Sequence, residues 1–326
     1  MLILSLMPKP AKKPLAPASP ERKPLLSPGV RRALIHSLVA VTVVAGAGSG
    51  LWALKRHVAT KLVYDDHPPK VVLTNRPAWM SDFLATQIIR SVRPRGGNSA
   101  TDAAVLEETY AALKANPWVD NVKQVRRAYS EKPGDTLEID CDFRVPVALV
   151  RSGDAYWLVD SNGVKLPDRY TPELVPKVVM NDQGQTQLRI IEGVKTTPPE
   201  AGMKWAGDDL AAGVELARLL FNEPFANEII KIDVANFAGR VDTREAQLVL
   251  VTRWDTQIRW GRPASAKDYI IEAPPSTKLA NLRAVQDAYG RVDAKQPWID
   301  VRFDQPTYPV SVAPAGNGNA QADVGR

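Results

Sequence analysis

Between Ala33 and Leu54 lie 22 consecutive residues, ALIHSLVAVTVVAGAGSGLWAL, without an Asp, Glu, Lys or Arg. At the rise of an α-helix such a run reaches about 30 Å, the thickness of a bilayer's hydrocarbon core. Arg31 and Arg32 bracket one end, Lys55 and Arg56 the other, and Trp52 sits where an interfacial aromatic belongs. The run therefore predicts one transmembrane helix over 33–54 and places the rest of the chain around a membrane anchor. A cleaved signal peptide competes with this reading through the small residues Ala45 to Gly50. Those residues lie inside the apolar run, and the leader before it is long, so the expectation is an uncleaved signal-anchor.

Charge sets the orientation and limits the partners. Residues 1–32 hold seven basic side chains against Glu21 alone, and this tail carries the whole formal charge of +6. The remaining 35 basic and 35 acidic residues balance. A nucleic-acid reader concentrates basic charge on its folded domain, so no nucleic-acid partner is expected. Within about 20 residues of the span, six basic side chains precede it and four follow, which favours a cytoplasmic N-terminus and an extracytoplasmic body. The Pro/Lys/Ala/Ser composition of 1–32 predicts a disordered basic tail, and the Gly/Ala/Asn-rich 311–326 a second one. Gly46 and Gly50 either admit a close helix neighbour or are simply small.

The body reads as α+β. Val71–Leu73 predicts a strand, Met80–Val92 and Asp102–Ala115 helices, then Val119–Tyr129 and Thr136–Phe143 strands joined by a turn at Pro133–Gly134. Leu137, Ile139, Cys141 and Phe143 alternate with Glu138, Asp140 and Asp142, so one face of the last strand is buried and one is wet. The order over 68–144 is β-α-α-β-β. A β-rich domain with two helices is expected over 145–310. It opens on a hairpin around Asp160-Ser161-Asn162-Gly163 and carries a helix over Asp208–Asn222. A three-strand meander follows (228–237, 245–253, 256–260). Then come a helix over Ser276–Tyr289 with Gly290 as its C-cap and a last strand, Trp298–Phe303. Residues 167–207 are turn-rich and give no clear element.

Chemistry is sparse. His36, His57 and His67 are the only histidines, and Cys141 is the only cysteine. From residue 68 onward, neither a nitrogen/sulfur zinc site nor a Ser-His-Asp or Cys-His arrangement can be assembled. Ser-x-x-Lys, Gly-x-x-x-x-Gly-Lys and Gly-x-Gly-x-x-Gly are all absent. A Ser-Lys dyad or a carboxylate pair stays open on sequence alone. The expectation is a binding protein: no enzyme, no cofactor, no metal and no small-molecule substrate.

Several runs, taken in order, resemble the FtsQ/DivIB family of bacterial cell-division proteins. They are Asn116-Pro117-Trp118-Val119, Val125-Arg126-Arg127, Leu137-Glu138-Ile139, Phe143-Arg144-Val145-Pro146-Val147-Ala148 and Trp157-Leu158-Val159-Asp160-Ser161-Asn162-Gly163. After these come Ile258-Arg259-Trp260-Gly261, Lys278-Leu279 and Ile299-Asp300-Val301-Arg302-Phe303. The resemblance covers most of 71–310. It implies a POTRA domain followed by a β domain, in a septal scaffold of the inner membrane whose partners include the coiled-coil membrane proteins FtsB and FtsL. It further implies that the last strand and the segment after it offer an edge to FtsB, with Arg302 and Phe303 among the binding positions. Strand addition to an exposed edge is a physically sound mode of capture. The chain departs from the family pattern in four places. Phe303 stands for the family's Tyr, Phe143 stands where Glu is usual, the run from Leu166-Pro167 onward departs strongly, and Gln305-Pro306 and Pro309 interrupt the pairing edge. The alternative is a POTRA-bearing transport or secretion component of the envelope, which usually carries several such units or a barrel.

Overall fold

A computed structural model describes residues 28–61, 69–95, 103–129, 133–266 and 272–309. The chain divides into two units, 1–63 and 64–326. Of the two tails expected at 1–32 and 311–326, only residues 28–32 fall among those described, and they open a helix.

In the first unit α1 runs from Pro28 to Lys61, roughly 51 Å at helical rise. Gly29–Val58 within it is long and apolar enough for a membrane span or a signal sequence. The side chains of the expected span, 33–54, are exposed. Arg56 lies 5.5 Å from the Trp52 ring, and the His36 ring nitrogen sits 2.7 Å from the Arg32 carbonyl.

The second unit is α+β and opens with the expected β-α-α-β-β order. It comprises β1 (Lys70–Leu73), α2 (Asp82–Val92), α3 (Ala104–Ala115), β2 (Val119–Tyr129) and β3 (Pro133–Phe143). Ser81 caps α2 by accepting the Leu84 amide at 3.2 Å, which starts that helix two residues later than its apolar pattern suggests. The three strands lie in the order β1-β3-β2, with β1 parallel and β2 antiparallel to the central β3. Pro133 and Gly134, expected in a turn, belong to β3, where Pro133 pairs with Tyr129. Leu137, Ile139, Cys141 and Phe143 form the buried face and pack on Ala85, Ile88 and Val92 of α2 and Leu113 of α3.

An eight-stranded mixed sheet follows. Its strands are β4 (Pro146–Ser152), β5 (Ala155–Asp160), β6 (Lys165–Tyr170), β7 (Arg189–Glu192), β8 (Ile229–Asp233), β9 (Leu248–Thr252), β10 (Gln257–Gly261) and β11 (Trp298–Asp300). In space the order is β11-β10-β9-β8-β7-β4-β5-β6. The expected meander is β8-β9-β10, antiparallel throughout. β7 had no counterpart in the sequence reading, yet it joins the two halves by pairing in parallel with both β4 and β8.

Helices α5 (Asp208–Leu219) and α6 (Pro275–Tyr289) cover one face, which carries Ala148, Val150, Ile191, Ile232, Leu250 and Ile258. Leu149, Leu158 and Ile190, one residue out of phase, point to the other face. They join the five-residue α4 (Val175–Val179) and the β3 core in a second cluster. The period of two therefore buries both faces of this sheet. Helix α5 ends at Leu219 instead of Asn222, and Phe221 beyond it is exposed. Gly290 terminates α6 at φ +70, as its position just past the apolar stripe predicts.

Arg144 fastens the two sheets. Its Nη1 lies 2.8 Å from both Asp120 of β2 and Asp160 of β5, and its amide donates to the Trp118 carbonyl.

Candidate functional site

The terminal edge of the large sheet is built by four groups of residues. β10 runs antiparallel to β9 and ends at Gly261, whose φ of +92 turns the chain out of the sheet. The chain returns through α6, where Leu279, Leu282 and Val285 anchor the helix over the sheet face. It then lays β11 parallel to β10, in the register Gln257↔Trp298, Ile258↔Ile299 and Arg259↔Asp300. β11 is three residues long, ending at Asp300 where the alternation suggested Phe303. Beyond it the chain turns and Thr307 folds back antiparallel on Asp300, with amide-to-carbonyl distances of 3.0 and 2.9 Å.

Arg302 and Phe303, the two positions implied by the resemblance, have opposite environments. The Arg302 guanidinium grips the Asp300 carboxylate at 2.7–3.0 Å and donates to the Arg244 carbonyl at 3.0 Å. Its side chain is only 17% exposed, and the Asp300 side chain 5%. The Asp300 carboxylate holds Arg302 above its usual range, against the opposing effect of burial. The Arg302 carbonyl accepts the Ala273 amide at 2.7 Å. Arg302 is therefore a brace of the turn. Phe303 is 50% exposed and presents its ring to solvent, while its backbone carbonyl accepts from Asn281 of α6 at 3.3 Å.

A second ionic pair sits behind this turn. The Lys278 ammonium, on a residue 3% exposed, donates to Glu272 at 2.6 Å and to the Trp260 carbonyl at 2.7 Å. Burial pulls Lys278 below the usual lysine range, and Glu272 pulls the other way. Glu272 also accepts the Arg262 amide at 3.0 Å, so one carboxylate ties the exit of β10 to the start of α6. Tyr308 stacks edge-on to Tyr289 at 6.4 Å and closes the end of the ribbon.

The pairings of Asp300 with Thr307 and with Arg302, and of Glu272 with Lys278, were not foreseen at this edge. The Asp300–Arg302 pair had a signal: residues two apart on a strand share a face, and opposite charges there attract. The Lys278–Glu272 pair had none, because Glu272 lies outside any periodic element, ahead of the start of α6 at Pro275.

No family model and no curated protein matches this chain.

The edge can do one thing well. Alternate residues of a strand point their N–H and C=O groups to opposite sides. Asp300 and Thr307 use theirs on each other, which leaves the outward row of the returning segment to Pro306 and Tyr308. Pro306 has no N–H to donate. A strand added here would gain few main-chain hydrogen bonds, and the larger apolar surface on offer is the exposed Phe303 ring. Among the described residues no group of three or more His, Cys, Asp or Glu is placed to hold a metal ion.

Proposed function

We propose that this chain is a membrane-anchored scaffold of the bacterial cell-division complex, related to FtsQ/DivIB. In this reading the N-terminus is cytoplasmic, α1 spans the inner membrane once, and the β-α-α-β-β layer is a POTRA domain in the periplasm. It works by binding other division proteins, including FtsB- and FtsL-like coiled-coil membrane proteins, and not by turnover of a substrate.

The observation that carries the reading is the terminal ribbon. β11 ends the strand order of the large sheet, and the turn beyond it holds a half-exposed phenylalanine on a backbone braced by Asp300, Arg302 and α6. A rigid edge with one large exposed ring is the form a hot spot takes: an aromatic anchor presented at little entropic cost. The ordered sequence motifs from Asn116 to Phe303 support the division assignment over a transport role.

The test is affinity purification of full-length protein from gently solubilised membranes, with wild type beside Phe303→Lys. Wild type is expected to recover small single-span coiled-coil proteins, and the variant to lose them while its far-ultraviolet spectrum and melting temperature hold. Recovery of translocation proteins, or equal capture by the variant, overturns the assignment. Diffuse membrane fluorescence of a tagged chain in dividing cells, without a septal band, does so as well.

A further inference from the structure

The opposite end of the large sheet carries an electrostatic feature that the terminal ribbon does not explain. On β6 the Lys165 residue is 6% exposed, and its Nζ lies 4.1 Å from the centre of the Trp157 ring on β5. Arg169, directly across from Trp157 in the β5–β6 register, places its guanidinium carbon 5.8 Å from the same ring. Trp157 faces the α5 side of the sheet, and exposed Pro167 stands between the two cations along the strand.

Among the described residues neither Lys165 nor Arg169 has a carboxylate partner; their charged ends meet only the indole. Asp168, between them in sequence, turns to the other face and takes the Tyr170 hydroxyl at 3.3 Å. Burial alone draws Lys165 below the usual lysine range, with no neighbouring charge to oppose it.

Magnitudes decide what this means. A cation on an indole gains about 0.5–2 kcal/mol. The Lys165 stem carries most of its burial, while Nζ makes no hydrogen bond and keeps contact with water, as does the exposed Arg169. A carboxylate arriving there would add charge-assisted contacts to both cations, each worth more than the ring gives. Two positive groups flanking one indole, with no carboxylate of their own, thus form a site open to an anion.

We propose that Lys165, Arg169 and Trp157 form a second binding site, which takes a carboxylate from an acidic segment of a partner polypeptide. The guanidinium fork and the ammonium match the two oxygens of an Asp or Glu side chain. Trp157 and Pro167 supply an apolar wall for the methylenes and backbone that carry it, which an inorganic anion has no use for. β6 and β11 lie at opposite ends of the strand order, roughly 34 Å apart at the usual strand spacing. One molecule therefore has room for this partner and for one at the terminal ribbon. The proposal stands on this cluster alone and rests on no part of the division reading.

The test uses full-length protein in detergent micelles and fluorescein-labelled hexaglutamate, read by anisotropy. The expected results are binding of hexaglutamate, none of hexaglutamine, and no displacement by inorganic phosphate. Arg169→Gln, at an exposed position that leaves folding intact, weakens binding about tenfold, the share of one charge-assisted contact. Lys165→Met with Arg169→Gln reduces it to the weak, salt-screened binding that the basic residues of 1–32 give by themselves. Phe303→Lys leaves hexaglutamate affinity unchanged. Equal affinity in the double variant or displacement by phosphate overturns the proposal.

Discussion

Replacing Arg144 with alanine tests the joint between the two sheets. The guanidinium bonds Asp120 and Asp160 at 2.8 Å each, and the Asp160 side chain is only 3% exposed. Removing one member of a buried ion pair typically costs about 3–5 kcal/mol, because the other charge stays behind without compensation. Two features move the figure toward the lower end. Asp160 keeps the Asn162 and Val164 amides at 2.8 Å on its other oxygen. The Arg144 Nε, buried without a hydrogen-bond partner, is itself a cost that the substitution removes. The expected loss is therefore about 3 kcal/mol, or about 6–12 °C in melting temperature for a domain of this size. Thermal unfolding of the full chain in detergent, followed by circular dichroism, reads it directly. Adding Asp160→Asn removes the stranded charge and keeps an oxygen for the two amides, so the double variant should regain about half the loss. A single-variant loss below about 1 kcal/mol, or strict additivity in the double, refutes the argument that a buried counter-charge holds this joint.

Two further expectations concern single residues. Gly261→Ala adds a Cβ at φ +92 that runs into the Glu272 carboxylate, so it should lower stability by about 2 kcal/mol and weaken partner capture together; unchanged melting and capture would remove Glu272 from the account of the edge. Burial pushes the Cys141 thiol up to about 12, from 9.0 in the open chain. Iodoacetamide at neutral pH should therefore leave it untouched until denaturant is added, and rapid native alkylation would contradict its placement. Above pH 9 the unfolded chain releases this proton while the folded chain keeps it, so Cys141 should make stability fall between pH 9 and 12, a slope that Cys141→Ala removes.

The most legible parts of the fold in sequence were those with a strong local period. The uncharged run of α1, the full length of β2, the alternating face of β3, and α6 with its glycine cap could all be read from neighbours within a few residues. β7 could not. Arg189-Ile190-Ile191-Glu192 is four residues long, has both faces buried between parallel neighbours, and so lacks the alternation that marks a half-wet strand. Its Arg189 is 2% exposed and finds the carbonyls of Leu220 and Ala226, more than thirty positions away in the chain. β4 opens at Pro146, tolerated because proline suits the first residue of a strand, and that residue masked a run that is otherwise plainly apolar. At the terminal edge the residue types were visible, but their division of labour was not. Arg302 and Phe303 are adjacent in sequence, and only the return of Thr307 to Asp300 decides that one braces and the other faces outward.

The parallel register of β10 and β11 has a consequence for biogenesis. Partners in that ladder are about forty positions apart, and closing so long a connection comes late, after the more local hairpins have formed. A polypeptide interrupted before Trp298 would end its sheet on β10 and display the wrong side chains to the outside. In the scaffold role proposed above, recruitment through this flank would be withheld from immature copies, a check that each copy has finished folding before it is used.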